Sequence, residues 1–415
     1  MTKATADRPR IAVVATPFGF GPASKAYSIG QVLARERGMD VQYYGSASAW
    51  DFFAAQPGVR PRPLDATSLA EDPSVLESAD AVVNVLAPEL IASPAAAAST
   101  YYVDSLGFMW QRADVPGDSL LKQVRSYFAQ DLFGSAANLA GLGVPGVTPV
   151  SGIVAPAAPP PPTGPRPPGR TRLLVQLGGL SNPAGHASAQ VYLTLAERLL
   201  AALRGPSVKT SGSPGPSGSS DSFELSVAMN RADGAFSLDV GGPARQLSGN
   251  EFRDELGACD TVLSSPGMTT MIEVSRAGRP YVPLPPQNWS QVVICRHMAR
   301  RSGLAVWPFL TGPYTAIDVR APEAEKAAAV REVNRLLGTD AGFAGDYADL
   351  ARSAIRAPEV PDVGAPFEGA REVAAAVAAG VAADVTAGVT AGVTAGMGTG
   401  AERIRNEPQR NGRTR

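Results

Sequence analysis

The sequence has few residues that coordinate metal ions or form disulfides. Its 415 residues include two histidines, His186 and His297, and two cysteines, Cys259 and Cys295. A zinc site built from cysteine and histidine, or a scaffold of disulfides, requires more of these residues than the chain contains. Small proteins stabilised by zinc or by disulfides are therefore excluded as a class.

An excess of one charge and long apolar runs are also absent. The formal net charge is -1, whereas nucleic-acid binding normally shows as a basic excess or stripe. No apolar run reaches the roughly 18 residues that a membrane span requires, and residues 1–10 are polar, unlike a signal peptide. We therefore expect a cytoplasmic protein with a small-molecule partner, with neither a nucleic-acid partner nor a membrane span.

The chain does contain short apolar runs that alternate with stretches of helical periodicity. The first series predicts strands at residues 10–16, 41–44, 81–86 and 101–103, with a helix at 23–37 that ends at Gly38. The second series predicts strands at residues 172–177, 223–229, 235–240, 260–264 and 281–284, with helices at 187–203 and from Met268 and Ser290. Such alternation predicts an α/β protein whose parallel sheets carry helices on both faces.

Proline- and glycine-rich segments divide these series into domains. Residues 155–170 are rich in proline, which favours an extended linker, and residues 204–222 form a Gly/Pro/Ser insertion expected to be a mobile loop. Tandem VTAG units at 385–396 are expected to be disordered. The predicted organisation is a first domain at 1–154, a linker at 155–170, a second domain at 171–356, and an Ala-rich helix with a disordered tail at 357–415.

The most specific pattern lies between residues 260 and 307. A strand is followed by Ser265-Pro266-Gly267 and by a helix that begins near Met268. Free N–H groups and the positive helix end then point out of the strand's carboxyl edge, a geometry that binds phosphate without a metal. Glu273 is placed to accept hydrogen bonds from a vicinal diol such as ribose. An isolated Glu is more often a solvent-facing side chain, and the surrounding pattern reverses that preference.

This segment resembles the donor half of the GT-B glycosyltransferases, especially the branch of the N-acetylglucosaminyltransferase that forms lipid II. The shared features are the Pro-Gly turn, the Thr-rich helix start, Glu273, Gly278-Arg279-Pro280 and the Gln-bearing helix start at 286–291. The resemblance implies two Rossmann-like domains whose parallel sheets face a central cleft. It also implies metal-independent transfer of a sugar from a UDP-sugar, bound by the second domain, to an acceptor bound mainly by the first.

The resemblance further implies which residues bind the donor. Those residues are Gly178, Gly179, Ser265, Gly267, Met268, Thr269, Glu273, Asn288 and Gln291. Taken alone, the Gly178-Gly179 turn would be an ordinary tight turn. Cys295 stands where relatives often carry Asn, which leaves the identity of the sugar open. The chain contains no Asp-x-Asp pair, which argues against the metal-dependent GT-A glycosyltransferases, so no metal and no cofactor are expected.

The loop after the first predicted strand, residues 19–25, lacks the spacing of a phosphate-binding P-loop. A formal GxGxxG at 141–146 contains Pro145 and follows no predicted strand, so we interpret it as a false match. The loop resembles the Gly-His-x-x-Arg loop of many GT-B enzymes, with Pro22 in the position of the histidine and Lys25 in that of the arginine. We expect the following residues to bind the acceptor or the donor sugar: Phe20, Gly21, Ser24 and Lys25.

The missing histidine leaves open which group accepts a proton from the acceptor. Asp104 follows a predicted strand within the aromatic segment 101–110 and is our candidate catalytic base. With equal weight, Asp104 is a loop residue that caps a turn while the aromatics lie in the core. Lys25 is either a ligand for a carboxylate or phosphate or a solvated lysine on a helix face.

A narrower resemblance, carried by the histidine-free loop, Lys25 and the segment around Asp104, is to the cytosylglucuronate synthases of nucleoside-antibiotic biosynthesis. It implies glucuronosyl rather than general hexosyl transfer, from UDP-glucuronate to cytosine. Two alternatives remain: a nucleotide-sugar 2-epimerase of the same fold, which the shortage of histidine disfavours, and a non-catalytic protein that binds nucleotide sugars.

Overall fold

The computed structural model describes residues 8–155, 170–180, 186–205, 222–230, 245–363 and 366–402. The strand predicted at 235–240 lies outside these residues, as do most of the linker and most of the Gly/Pro/Ser insertion. No helix in the described ranges combines the length and the apolar character that crossing a bilayer requires.

The first domain contains a parallel sheet of seven strands. They are β1 (Arg10–Ala15), β2 (Asp40–Gly45), β3 (Arg62–Pro63), β4 (Ala81–Val85), β5 (Thr100–Asp104), β6 (Ser126–Gln130) and β7 (Val147–Val150). Their order is β3-β2-β1-β4-β5-β6-β7. Every residue of β4 and β5 is buried, as expected for strands covered by helices on both faces.

The helices of this domain follow its strands. They are α1 (Gly21–Arg37), α2 (Ala47–Ala54), α3 (Ala66–Glu71), α4 (Ser74–Glu77), α5 (Pro94–Ala98) and α6 (Ser135–Gly141). Helix α1 ends where predicted, because Gly38 adopts the left-handed conformation with φ of 69° and donates its N–H to the carbonyl of Leu33. The formal GxGxxG joins the end of α6 to β7, so it follows a helix and not a strand.

The second domain contains a parallel sheet of five strands. They are β8 (Arg170–Gln176), β9 (Ser222–Asn230), β10 (Arg245–Leu247), β11 (Thr261–Ser264) and β12 (Tyr281–Pro283), in the order β10-β9-β8-β11-β12. The helices are α7 (His186–Arg204), α8 (Gly249–Ala258), α9 (Met268–Arg276), α10 (Trp289–Met298), α11 (Val306–Thr311), α12 (Glu323–Leu337) and α13 (Ala341–Arg356).

The last helix, α14 (Gly369–Glu402), returns to the first domain. Val373, Val377 and Val381 are buried in the core that β1 and α1 share, and Arg125 pairs with Asp384 across the contact. Helix α14 continues through the VTAG units at 385–396, and the disorder expected for the tail stays a prediction. Alanine is the strongest helix former, and it supports a helix where the repeats contain glycine.

The architecture is therefore α/β, with two Rossmann-like domains whose parallel sheets face a central cleft. This confirms the GT-B arrangement that the sequence analysis predicted.

Candidate active site in the interdomain cleft

The cleft lies at the point in each sheet where the strand order changes direction. That point falls between β1 and β4 in the first domain and between β8 and β11 in the second. In open parallel sheets, ligands bind outside the carboxyl ends of the strands at this point. A cavity of about 620 Å³ lies there, lined by the loops that follow these strands in both domains.

Most of the residues predicted from the sequence line this cavity. From the first domain these are Phe20, Gly21, Ser24 and Lys25, and from the second they are Gly178, Gly179, Gly267, Met268, Thr269, Glu273, Asn288 and Gln291. Ser265 and Asp104 do not line it. The structure thus brings the two predicted halves of the site together, and it separates two residues from them.

Helix α9 points its N-terminus at the cavity. Gly267 is the N-cap residue, and no side chain caps the helix. The first N–H groups of a helix have no partner within the helix, and they carry its positive partial charge. This arrangement suits a phosphate or diphosphate at Gly267, Met268 and Thr269.

Lys25 reaches the same helix end from the other domain. Its side chain is 2% exposed, and its Nζ donates a hydrogen bond of 2.5 Å to Thr269 Oγ1. A Cβ added at Gly21 would lie 3.0 Å from the same hydroxyl, so the loop needs a glycine to approach. Burial lowers the pKa of Lys25 to about 8, and the charge of Glu273 opposes this shift. Lys25 is therefore not a solvated lysine on a helix face.

Glu273 lies two turns into α9 and is partly exposed at the cavity. Burial raises its pKa to about 7, while the positive charges of Arg253, Lys25 and Arg276 act in the opposite direction. The carboxylate of Glu273 lies among cations but makes no hydrogen bond to another described side chain. Its oxygens are therefore available to the hydroxyl groups of a ligand.

Arg253 is a cation of the cavity that the sequence analysis missed. It lies on α8, which was not predicted because the preceding strand β10 has only three residues. A signal was present, however, since Ser248 and Glu251 form a capping box at the start of the helix. The Ser-x-x-Glu spacing is a recognised helix start and could have located this element.

Gln287 connects the turn at Gly178-Gly179 with the turn at Ser265-Pro266-Gly267 behind the cavity. Its Nε2 donates to the carbonyl oxygen of Gly178 at 3.1 Å and to Ser265 Oγ at 2.9 Å, and its backbone N–H donates to Gln291 Oε1 at 2.7 Å. Ser265 is buried and does not line the cavity, which corrects its expected role: it anchors the turn. Gln287 had no assigned role in the sequence analysis, because its partners are distant in sequence.

Asn288 caps helix α10, the other predicted sugar-binding element. Its Oδ1 accepts hydrogen bonds from the N–H of Gln291 at 3.2 Å and from Ser290 Oγ at 2.7 Å. The cap fixes the start of the helix, and Gln291 then lies in its first turn at the cavity. Cys295, one turn further on, is fully buried and does not line the cavity.

Asp104 does not reach the cavity, and this corrects its assignment as the catalytic base. Its carboxylate is fully buried and accepts hydrogen bonds of 2.6 Å from the N–H of Leu106, from Trp110 Nε1 and from Tyr127 Oη. Burial raises its pKa, and the hydrogen bond from Tyr127 opposes that rise. The alternative holds in part: Asp104 is the last residue of β5 and not a loop residue, but its carboxylate fixes the turn that follows, and Tyr101 and Tyr102 lie in the core.

A group of aromatic side chains lines the cavity on the side of the first domain. This aromatic wall consists of Phe18, Phe20, Tyr27 and Phe52. The rings of Phe20 and Phe52 meet edge to face with centroids 5.5 Å apart, and Tyr27 lies 6.2 Å from Phe52. The sequence analysis missed Phe52 because it did not predict α2, and it sought the aromatic surface around Asp104, where Tyr101 and Tyr102 are buried in the core.

Metal-binding side chains do not cluster in the described part of the chain, where no group of three or more His, Cys, Asp or Glu residues is positioned to hold an ion. Among the described residues that line the cavity, none is a histidine. His297 instead stacks on Phe133 with centroids 4.7 Å apart, and the side chain of His186 lies outside the described residues.

The chain matches no model of a known protein family, and no curated protein matches it in sequence. Its fold is similar to MnaA of S. aureus bound to UDP, with 11% identity over 89% of this chain and 95% of that chain and a TM-score of 0.46. It is also similar to UGT71G1 of Medicago truncatula in complex with UDP-glucose, with 11% identity over 89% and 98% and a TM-score of 0.46. The glycosyltransferase SnogD of Streptomyces nogalater gives 16% identity over 84% and 100% and a TM-score of 0.39. At these values the similarities assign neither a donor nor an acceptor.

Proposed function

We propose that the protein is a glycosyltransferase that moves a sugar from a UDP-sugar to a small-molecule acceptor, without a metal ion. One observation carries the proposal. The uncapped N-terminus of α9, the buried cation Lys25 and the carboxylate of Glu273 converge on one cavity between two Rossmann-like domains. Together they provide partners for a diphosphate and for an adjoining ribose.

The donor would lie across the second domain. Its diphosphate would accept hydrogen bonds from the backbone N–H groups at Gly267, Met268 and Thr269, and Glu273 would accept hydrogen bonds from the ribose hydroxyls. Asn288 and Gln291 would face the sugar, and the Gly178-Gly179 turn would contact the donor from the opposite side. All of these residues line the cavity.

The chemistry follows from this placement. The acceptor's nucleophile forms a bond to C1 of the sugar while the bond from C1 to the diphosphate oxygen breaks, and the electron pair leaves with the diphosphate. A preorganised positive field at the leaving group lowers the barrier, because it acts where negative charge develops. The helix end and Lys25 would supply that field. Because Lys25 contacts Thr269, its position favours the diphosphate over a carboxylate of the sugar as its partner.

The narrowest form of the proposal is transfer of glucuronate from UDP-glucuronate to cytosine in nucleoside-antibiotic biosynthesis. It rests on the resemblance of the loop that contains Lys25. The planarity of cytosine agrees with the aromatic wall, and Gln291 and its neighbours would contact the sugar.

The test is acceptor-dependent release of UDP from the purified protein. UDP-glucose, UDP-glucuronate and UDP-N-acetylglucosamine are each incubated with an acceptor panel that includes cytosine, and free UDP and product mass are measured. We expect release that requires an acceptor and that Glu273→Gln reduces, while the exposed control Glu325→Gln does not. Binding of UDP without turnover under every condition would indicate a non-catalytic binding protein. Acceptor-independent epimerisation of UDP-N-acetylglucosamine would indicate the 2-epimerase.

A further inference from the structure

We propose that the acceptor is a planar aromatic molecule that packs on the aromatic wall, and that Asp51 accepts the proton of its nucleophile. This inference rests on the proposed function, because it assigns the acceptor side of the same cavity. The wall is built from two sequence-distant segments: Phe18, Phe20 and Tyr27 lie on the loop after β1 and on α1, and Phe52 lies on α2 after β2.

The wall has an accessible surface as well as internal contacts. Phe18 is 37% exposed, and Phe20 and Phe52 are partly exposed although their rings touch. Aromatic rings left open to a cavity in this way offer offset-stacked or edge-to-face contacts to a further ring, and such contacts add to the gain from burying apolar area. An apolar surface inside a cleft is the usual sign of a ligand that covers it.

The α2 side of the cavity offers few polar groups to a saccharide acceptor. Helix α2 and the turn after it contribute two polar side chains to the lining of the cavity, Asp51 and Gln56. Gln56 already donates a hydrogen bond to the carbonyl of Phe52 at 2.9 Å. A sugar presents several hydroxyl groups that each lose water on binding and need a partner. A flat molecule with one reactive N–H or O–H fits this chemistry better.

Asp51 is the carboxylate on the acceptor side. Among the described residues that line the cavity, the acidic ones are Asp51 and Glu273, and Glu273 belongs to the donor half. Asp51 is exposed and adjoins Phe52, and no described side chain donates a hydrogen bond to it. As the nucleophile forms its bond to C1, its proton passes to Asp51 and then to solvent, while the diphosphate leaves with the electron pair of the broken bond.

The acceptor class is tested by binding in the presence of saturating UDP, so that a flat probe cannot occupy the nucleotide site. Hydroquinone and cytosine are compared with cyclohexane-1,4-diol by saturation-transfer NMR and titration. We expect the planar probes to bind at least about tenfold more tightly than the saturated diol. Phe52→Leu and Phe20→Leu should weaken the planar probes by about 5- to 10-fold, Phe52→Tyr should retain binding, and UDP affinity should be unchanged in all three.

Phe309→Leu is the matched control, since Phe309 is a partly buried phenylalanine outside the cavity. Equal binding of the planar and saturated probes would overturn the proposal, and so would wall variants that bind the planar probes as the wild type does. Neither result affects UDP binding or acceptor-dependent UDP release, so this failure can be told apart from failure of the proposed function.

The role of Asp51 is tested with Asp51→Asn on the acceptors that support turnover. We expect kcat to fall by about 100-fold or more for weakly acidic acceptors and much less for acidic phenols, which lose their proton without help. Probe binding should be unchanged. Asp40→Asn, at the amino end of β2 and outside the cavity, is the control. If kcat falls equally for all acceptors, or does not fall, Asp51 does not accept the proton.

Discussion

Lys25 in the first domain donates a hydrogen bond to Thr269 in the second, with 2.5 Å between Nζ and Oγ1. The lysine is 2% exposed, so its charge is largely removed from water. Burial of a cation is unfavourable unless an anion compensates for it, and burial lowers the pKa of Lys25 to about 8. We infer that the free protein holds this cation at a cost in stability, and that a bound diphosphate would relieve it.

Replacing Lys25 by methionine should change how stability depends on pH. The pKa of Lys25 is about 8 in the folded protein, below its ordinary value of 10.5. Between these values the unfolded chain binds more protons, so the free energy of unfolding rises with pH across this window. The shift corresponds to roughly 3 kcal/mol at about 1.4 kcal/mol per pH unit. Lys25→Met should lack this rise and should be more stable than the wild type below pH 8.

The measurement is urea unfolding at pH 7.5 and pH 10, with and without UDP. Lys122→Met, which lies outside the cavity, is the control for loss of a lysine. UDP should stabilise the wild type more than Lys25→Met. A variant that keeps the whole rise between the two pH values would show that another group causes it.

Glu273 should recognise the ribose of the donor. Burial raises the pKa of Glu273 to about 7, so at pH 8 the carboxylate form dominates and accepts hydrogen bonds from both hydroxyls. A hydrogen bond to a charged group contributes about 1.5–3 kcal/mol, so Glu273→Gln should weaken UDP binding by roughly 10- to 100-fold at that pH. With 2′,3′-dideoxy-UDP, the wild type and the variant should bind equally. If calorimetry gives the same loss for both nucleotides, the ribose contact is wrong.

The raised pKa of Glu273 also predicts a stability change of the opposite sign to that of Lys25. Between the ordinary value of 4.5 and about 7, the folded protein binds more protons than the unfolded chain, so stability falls as pH rises through this window. Glu273→Gln should be less sensitive to pH between 5 and 7 than the wild type, as urea unfolding at these two values can show.

Gln287 should affect donor binding although it does not line the cavity. Its Nε2 donates hydrogen bonds to the carbonyl of Gly178 and to the hydroxyl of Ser265. Gln287→Leu would remove both hydrogen bonds. We expect a loss of about 1–3 kcal/mol in stability, together with a KM for the donor about tenfold higher and a smaller change in the KM for the acceptor. The exposed control Gln190→Leu should change neither. Equal increases in both KM values would indicate general loosening of the fold.

Asp104 should matter for folding and not for proton transfer. Its two oxygens accept three hydrogen bonds in the core, and Asp104→Asn would place an NH₂ group opposite at least one donor. An unsatisfied buried group costs about 1–3 kcal/mol, so chemical unfolding should show a loss of that order or more. The kcat per folded molecule should stay close to that of the wild type. A variant that is as stable as the wild type but inactive would restore Asp104 as the base.

The second-domain side of the cavity was predictable because its signals are local in sequence. Gly267, Met268 and Glu273 lie on a single strand-turn-helix unit, so their spacing alone fixes their relation to the helix end. The same holds for Asn288 and Gln291 at the start of α10. The alternation of strands and helices predicted part of both sheets for a similar reason, but it missed β3, β6, β7 and β10.

The first-domain side of the cavity was predictable only in part: Phe20, Gly21, Ser24 and Lys25 were expected there, whereas Phe52 was not. Phe52 meets Phe20 only because α2 packs beside the loop after β1, and neither residue carries a local pattern that indicates the other. Asp104 was misplaced because the end of a strand identifies the correct edge of a sheet without saying which way a side chain points there. Gln287 was missed because it acts through hydrogen bonds to Gly178 and Ser265, which are remote in sequence.

The C-terminal helix should stabilise the first domain only as far as its buried part extends. Val377 is fully buried against the core of that domain, whereas Val385 is 58% exposed. Val377→Ala should lower the free energy of unfolding by about 1.5–3 kcal/mol, because it removes buried apolar surface, and Val385→Ala should change it by less than about 0.5 kcal/mol. Removal of residues 386–415 should leave stability and UDP binding unchanged in thermal unfolding, while removal from residue 367 onward should expose the core and abolish cooperative unfolding. If the longer deletion unfolds as the wild type does, α14 is not part of the first domain's core.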